Sequence, residues 1–370
     1  MPSLYLGLMS GTSVDSIDAV VVDISADGRC HLLASHSEAF EPALQEQLRN
    51  AISSKKIVLH DLAQLDVRVA KHFAKAANNV LQHHQIARQQ IIAIGSHGQT
   101  LLHGADQSPA YSLQIGDPNI IAEETGITTI ADFRRRDIAV GGQGAPLVPC
   151  FHQSWLETIN GADAVLNLGG IANITLLGRA GEDPQLGFDT GPANTLIDTW
   201  VRHRLGKSYD EDGAWARQGH IHSQLLALLL QHPFFNKTPP KSVDINQFNL
   251  AWLELALSSL EEVSDVDIAA TLVELSAVTI CRAVKLYASD CRKLIACGGG
   301  CHNHFLIQRI QAGLGTIQLE LSDNYSIGVD WVEATAFAWL AFCHLNKKAG
   351  NAASITGAKQ KRVLGACYPT

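Results

Sequence analysis

Four short segments of this 370-residue chain combine small residues with polar side chains in patterns that suit phosphoryl chemistry. In Gly11-Thr12-Ser13-Val14-Asp15-Ser16-Ile17-Asp18, a turn of small residues would let backbone N–H groups approach phosphate oxygens, with the Thr12 and Ser13 hydroxyls as further donors. The Asp15 and Asp18 carboxylates would be repelled by phosphate, so they suit contact through Mg2+ or a water. Asn167-Leu168-Gly169-Gly170-Ile171-Ala172-Asn173 offers a second such turn, and a pair of turns clamping the β- and γ-phosphates of a nucleotide is a stronger signal than either alone. In Gly187-Phe188-Asp189-Thr190-Gly191-Pro192-Ala193-Asn194, a tight turn ahead of a helix would hold the Asp189 carboxylate as a base or as the group that orients a nucleophile. It would equally serve as a turn cap. In Ala296-Cys297-Gly298-Gly299-Gly300-Cys301-His302-Asn303, three glycines in a row cost backbone entropy, which close approach to a purine and ribose would justify.

Two further groups suit a polyhydroxylated, acidic ligand: Ser96-His97-Gly98-Gln99-Thr100 with His103, and Asp132-Phe133-Arg134. They supply hydroxyl, imidazole, amide and guanidinium groups at strand ends. Cys297, Cys301, His302 and His304 are zinc-ligand types, but they surround the three glycines and no second pair stands at zinc-finger spacing, which disfavours a metal there. Neither G-x-x-x-x-G-K-[ST] nor G-x-G-x-x-G stands between a strand and a helix.

These segments need elements to position them. Residues 4–9, a turn at 10–13 and Ala19–Ile24 read as a β-hairpin, and 164–168, Gly169-Gly170 and 171–177 repeat that layout. Helical patterning covers 42–86, 194–204 with Asn194 as its cap, 269–289 and 333–345; apolar strands are expected at 91–95 and 294–296. Phe337 and Trp339 read as core. Alternating strands and helices, with the hairpin duplicated, predict an α/β protein of two similar domains. A chain of this length exceeds the ~250–300 residues at which single cores stop growing, and two domains imply a cleft for small ligands. The Gly- and Pro-rich stretch 137–149 reads as the crossing, giving domains 1–140, completed by 346–370, and 141–345, the latter taken as the nucleotide-binding domain.

The formal net charge is −8, and the longest uninterrupted basic run is Arg134-Arg135-Arg136, which makes nucleic acid a poor partner. No signal peptide and no apolar run of ~18 residues is visible, so a cytoplasmic protein is expected. Eight scattered cysteines fit reduced, buried thiols.

Taken together, MSGTSVDSIDA, GSHGQTLLH, IGDPNIIAEETGI, ADFRRRDIAVGGQGAPLVP, LNLGGIANIT, GFDTGPANTLID, CGGGCHN and VDWVEATAFAWLA resemble the anhydro-N-acetylmuramic acid kinase family, in order, over about residues 5–345. The resemblance implies the duplicated ribonuclease H-like fold of actin, Hsp70 and sugar kinases with a central ATP cleft, and a homodimer. It implies a reaction in which ATP and Mg2+ convert 1,6-anhydro-N-acetylmuramic acid and water into N-acetylmuramic acid 6-phosphate during recycling of the bacterial cell wall. It makes Asp189 the base and Glu333 a support for sugar or water. Residues 11–18, with Asn167, Gly169 and Gly170, would meet the nucleotide phosphates, and Gly298, Gly299, Gly300 and Asn303 would lie near adenosine. Ser96, His97, Gln99, Asp132, Arg134 and Thr190 are the candidate sugar contacts. Ser16 and Ala193 stand where the family favours glycine, and altered turn geometry is expected there. An ordinary hexose or amino sugar as acceptor is the alternative; a binding ATPase of the same fold would need a partner-binding module that the chain gives no sign of.

Overall fold

A computed structural model of the chain describes residues 3–11, 13–157 and 162–370. It divides into two compact units, residues 1–156 with 331–370, and residues 157–330.

The first unit is built on a six-stranded sheet. Strands β1 (Leu4–Met9), β2 (Ser16–Ile24) and β3 (Cys30–Ala39) form an antiparallel meander, after which come helices α1 (Pro42–Ser54) and α2 (Leu59–His83). Strand β4 (Ile91–Ser96) pairs parallel to β1; a two-stranded ribbon, β5 (Gln99–Gly104) and β6 (Tyr111–Ile115), follows. After α3 (Pro118–Thr125), β7 (Thr129–Ala131) pairs parallel to β4, and α4 (Phe133–Ile138) and α5 (Pro149–Leu156) close the segment. In the second unit, β8 (Ala164–Leu168), β9 (Ile171–Leu176) and β10 (Leu186–Pro192) make another antiparallel meander. Helices α6 (Asn194–Leu205), α7 (Ser223–Leu229), α8 (Leu250–Leu257) and α9 (Asp265–Tyr287) follow, then β11 (Lys293–Cys297), α10 (His304–Leu314) and β12 (Gln318–Leu321). Strand β11 pairs parallel to both β8 and β12. The chain then returns to the first unit with α11 (Val332–Leu345) and β13 (Ala366–Tyr368), which pairs antiparallel to β7.

Both sheets therefore have one topology. Reading β3-β2-β1-β4-β7 and β10-β9-β8-β11-β12, three antiparallel strands are extended by two parallel ones on the side of the first. This is the ribonuclease H-like order, present twice. The predicted hairpins are β1–β2 and β8–β9, and the expected helices appear with shifted ends: 42–86 splits where Lys55 takes a left-handed backbone, and the helix expected at 269–289 spans 265–287 behind a Ser264 cap.

The unit boundaries differ from those read from composition. Residues 141–156 and 331–345 belong with the first sheet, and the Gly- and Pro-rich stretch stays inside that unit. Two contacts explain this. The buried Asp137 carboxylate accepts hydrogen bonds from Gly144 N–H (2.8 Å), Asn351 Nδ2 (2.7 Å) and the Thr356 hydroxyl (3.0 Å), binding the 139–144 loop to the C-terminal segment. Helix α11, apolar almost all round, lies directly on the sheet. Along β1, Leu4, Leu6 and Leu8 join the core that holds Val69, Phe73 and Val80 of α2, while Tyr5 packs its ring on Phe342 of α11, 5.7 Å between centroids. A Cβ placed on Gly7 would lie 1.9 Å from the Ala334 carbonyl oxygen, and one on Gly95 would lie 1.9 Å from that of Phe337. Only glycine permits so close a backbone approach. Phe337 and Trp339 are buried, as read. No helix among the described residues is long and apolar enough to cross a membrane.

Because the obstructing atoms at Gly95 are backbone, Gly95→Ala should destabilise the protein by about 2 kcal/mol or more, within the range for overpacked cores. Urea denaturation of both proteins measures it, and equal midpoints would refute direct helix-on-sheet contact.

Candidate functional site

In the first unit, the turn between β1 and β2 is braced from two directions. The Ser10 hydroxyl lies 2.7 Å from Gln99 Oε1 and 2.9 Å from the Ser16 carbonyl, and Gln99 Nε2 donates to the Gly11 carbonyl (3.2 Å). From α1, Gln45 Nε2 donates to the Val14 carbonyl (2.7 Å), while Arg49 Nη2 donates to Asp15 Oδ1 (2.9 Å) and the Ser13 carbonyl (3.3 Å). A Cβ built on Gly11 would meet nothing nearer than Ser13 Oγ at 3.8 Å, so the backbone there is open to a ligand. Val14 and Ile17 point into the core, leaving only their backbone for binding. Asp18 Oδ1 accepts from the Ser37 hydroxyl (3.0 Å), and Ser16 Oγ lies 3.4 Å from it. Thr12 lies outside the described residues. Arg49 escaped the sequence reading because it sits 34 residues from Asp15, on a helix with no motif of its own.

A second cluster in this unit joins three elements. Arg134 Nε donates to His97 Nε2 (3.0 Å), and Arg134 Nη1 donates to the Gly144 carbonyl (2.9 Å). A guanidinium can only donate, so Nε2 is the acceptor and the proton of His97 lies on Nδ1. Burial, seconded by the Arg134 charge, holds the His97 pKa well below its ordinary value, so the imidazole is neutral. Burial lowers Arg134 to about 10 against the opposing pull of Glu333, so the guanidinium keeps its charge at neutral pH. Glu333, half-buried in the first turn of α11, thus belongs with His97 and Arg134. Ser96 is buried beside His97, with no hydrogen-bond partner for its hydroxyl among the described residues. Gln99, a candidate sugar contact, is fully buried and spends its amide on the 10–13 turn. Asp132 stands at the N-terminal position of α4 with a left-handed backbone, makes no capping hydrogen bond with its side chain, and accepts from Arg135 Nε at 2.6 Å.

In the second unit, two glycine turns touch because β8 and β11 are parallel neighbours. Gly298 has φ +88°, and a side chain there would collide with Asn167 Oδ1 at 2.4 Å and with the Leu168 carbonyl. Gly300 packs on Leu168, whereas a Cβ on Gly299 would meet nothing within 4 Å. The Gly169 and Gly170 carbonyls accept from Asn194, Ala193 and Thr195 N–H groups, which ties the turn to the start of α6. Asn194 does not cap that helix: Ala193 occupies the cap position, and Asn194 Nδ2 donates to the Leu168 carbonyl at 3.3 Å. Asn303 caps α10 through Leu306 N–H (2.9 Å) and packs on Gly213, so an unforeseen loop, 210–213, lies against the glycine-rich turn. His304 pairs with Asp212 and His302 with Asp330, the latter at 2.8 Å, while Cys297 and Cys301 are buried.

Asp189 lies within β10 and not on a turn at the helix start, which corrects the sequence reading. The β9–β10 register shifts between Asp189 and Gly191, and such a bulge re-aims side chains. Thr190, next to it, is buried with its hydroxyl donating to the Ala172 carbonyl (3.2 Å). The Asp189 N–H donates to the Lys241 carbonyl (3.0 Å), and Oδ2 accepts from Val243 N–H (3.0 Å). Burial raises its pKa to about 6, against the opposing pull of the Val243 N–H and the Lys241 charge. A carboxylate so placed is ionised at neutral pH yet basic enough to take a proton.

Both units carry one α/β strand order, three antiparallel strands extended by two parallel ones, with a small-residue turn between the first two strands of each, which defines a duplicated ribonuclease H-like fold. A model of the family described as anhydro-N-acetylmuramic acid kinase matches residues 3–370. The anhydro-N-acetylmuramic acid kinase of Shewanella sp. (strain MR-7) is 46% identical over 361 residues, 98% of this chain and 97% of its own. That of Xanthomonas oryzae pv. oryzae (strain MAFF 311018) is 46% identical over 369 residues, 99% of this chain and 97% of its own. Among solved structures, the activator of the 2-hydroxyisocaproyl-CoA dehydratase from Clostridium difficile with bound ADPNP is 13% identical and covers 93% of this chain and 96% of its own, with a TM-score of 0.48. The chain belongs to the anhydro-N-acetylmuramic acid kinase family.

The raised Asp189 pKa has a stability consequence. A carboxyl group whose folded pKa exceeds its ordinary 3.8 stabilises the fold below that value, and the contribution is lost as pH rises through about 6. Asp189→Asn should therefore be more stable than the parent by about 1–3 kcal/mol above that range, with the gain vanishing below it. Urea denaturation at both pH values tests this.

Proposed function

We propose that this kinase uses ATP to open 1,6-anhydro-N-acetylmuramic acid with water and to phosphorylate its O6, giving N-acetylmuramic acid 6-phosphate and ADP. The observation that carries the reading is Asp189, a partly buried carboxylate at a strand bulge with a pKa of about 6, in a chain of this family. In the anhydro sugar, O6 is bound to C1, so no hydroxyl awaits a phosphoryl group. Asp189 takes a proton from water as its oxygen attacks C1. The C1–O6 bond breaks, and O6 bonds to the γ-phosphorus as ADP departs. The water oxygen stays on C1 as the new hydroxyl.

The first unit supplies the sugar groups in this reading. Arg134 suits the acidic substituent of the sugar, neutral His97 can donate from Nδ1, and Glu333 holds sugar or water. Residues 11–18 and Asn167 to Gly170 meet phosphates, while Gly298 to Gly300 approach adenosine where Gly299 is open. Asp15 and Asp18 are already engaged by Arg49 and Ser37, a donor set that suits magnesium held through water and phosphate oxygens. When bound, the ion would neutralise charge on the transferred phosphoryl group. A cytoplasmic homodimer acting in cell-wall recycling completes the proposal.

Mass spectrometry of the product formed in 18O-labelled water tests it. A phosphorylated sugar with one label at C1 is expected, with Asp189→Asn slower by about a hundredfold or more. Because the base must be ionised, kcat should rise with pH through about 6. Equal turnover of a sugar with a free 6-hydroxyl would move the assignment to an ordinary sugar kinase.

A further inference from the structure

Residues 241–245 do more than border the base. Their exposure alternates: Lys241, Val243 and Ile245 are half-buried, while Ser242 and Asp244 face solvent, which is the period of an extended strand. The segment brackets Asp189, accepting its N–H at the Lys241 carbonyl and donating Val243 N–H to Oδ2, both at 3.0 Å. Among the described residues no donor reaches Oδ1. Both ends of the segment are fastened. The Lys241 ammonium lies 4.6 Å over the Phe234 ring, and Asp244 Oδ1 accepts from Asn246 N–H (3.0 Å) in the short helical turn that follows. Ile245 then fills the space over Gly170, its Cδ1 lying 2.7 Å from where a Cβ would stand.

We propose that residues 241–245 form a positioning strap for the base, in which Val243 N–H holds Oδ2 of Asp189 so that Oδ1 receives the proton, while Ile245 seats the Gly169–Gly170 turn from the same segment. The proposal rests on Asp189 being the base. Few other charges compete with the strap. Lys241 is the cation that acts on Asp189, and Lys237 acts in turn on Lys241. Strand β9 sets Asn173 opposite the carboxylate, and α9 brings Thr279 against Gly191. A donor on Oδ2 makes that oxygen the weaker base and fixes the plane of the carboxylate, so the proton is taken in one direction.

The test replaces the donor. Val243→Pro removes the N–H and suits extended backbone, whereas Val243→Ala keeps it. In the full chain without substrate, carbon-13 NMR of the Asp189 carboxyl should show the midpoint rising by about one unit or more in Val243→Pro, the loss expected for a hydrogen bond to a charged group. The acid limb of kcat should move with it, and Val243→Ala should move neither. Val243 amide hydrogen exchange is the second measurement and does not depend on the proline variant folding. It should accelerate by about tenfold or more in Asp189→Ala. An unmoved midpoint in folded Val243→Pro, or an unchanged exchange rate, overturns the strap. Full activity in Asp189→Asn would overturn the base assignment instead, while the carboxyl titration and the amide exchange would still report on the bond.

Discussion

The Ala334 and Phe337 carbonyls occupy the space where side chains of residues 7 and 95 would be. Much of the first unit follows from that contact. With no Cβ between them, α11 and the two central strands pack backbone against backbone, and the surrounding Tyr5, Phe337 and Phe342 seal the layer. The helix so fixed carries Glu333 in its first turn, which is how a carboxylate from position 333 comes to act on Arg134 while Arg134 holds His97. A cluster built from three distant parts of the chain thus inherits its geometry from two glycines.

The second unit solves a different problem, holding a carboxylate where water is scarce without neutralising it. Burial alone would raise the Asp189 pKa further; the Val243 N–H and the Lys241 charge pull it back to about 6. The site is neither the most stable nor the most polar arrangement available, and the bulge in β10 points the side chain away from regular sheet pairing. Such departures from local regularity are where function concentrates.

The hairpins were legible because an apolar run, a small-residue turn and another apolar run permit little else. Helices α2, α9 and α11 were legible from their period. The glycine turns were found, but the reason for Gly298 is contact with Asn167 and Leu168 as well as any ligand, which no reading of one segment could show. Asp189 was singled out for the wrong local reason, a turn at a helix start, since β10 carries the irregular Gly187-Phe188-Asp189-Thr190-Gly191-Pro192 in a strand. Arg49, Gln45 and the 210–213 loop act through tertiary contacts and carry no motif. The home of α11 was misplaced because its pattern says only that it is buried, not against which sheet.

The first unit is discontinuous in the chain, and this has a consequence for synthesis. Residues 157–330 form a continuous stretch with its own core and can close as soon as they emerge from the ribosome. The first sheet cannot. Its central strands are made early, but the helix that covers Gly7 and Gly95, the Asn351 and Thr356 partners of buried Asp137 and the edge strand β13 that pairs with β7 all follow residue 330. The N-terminal strands therefore spend most of translation with one apolar face uncovered, and the later unit matures before the earlier one.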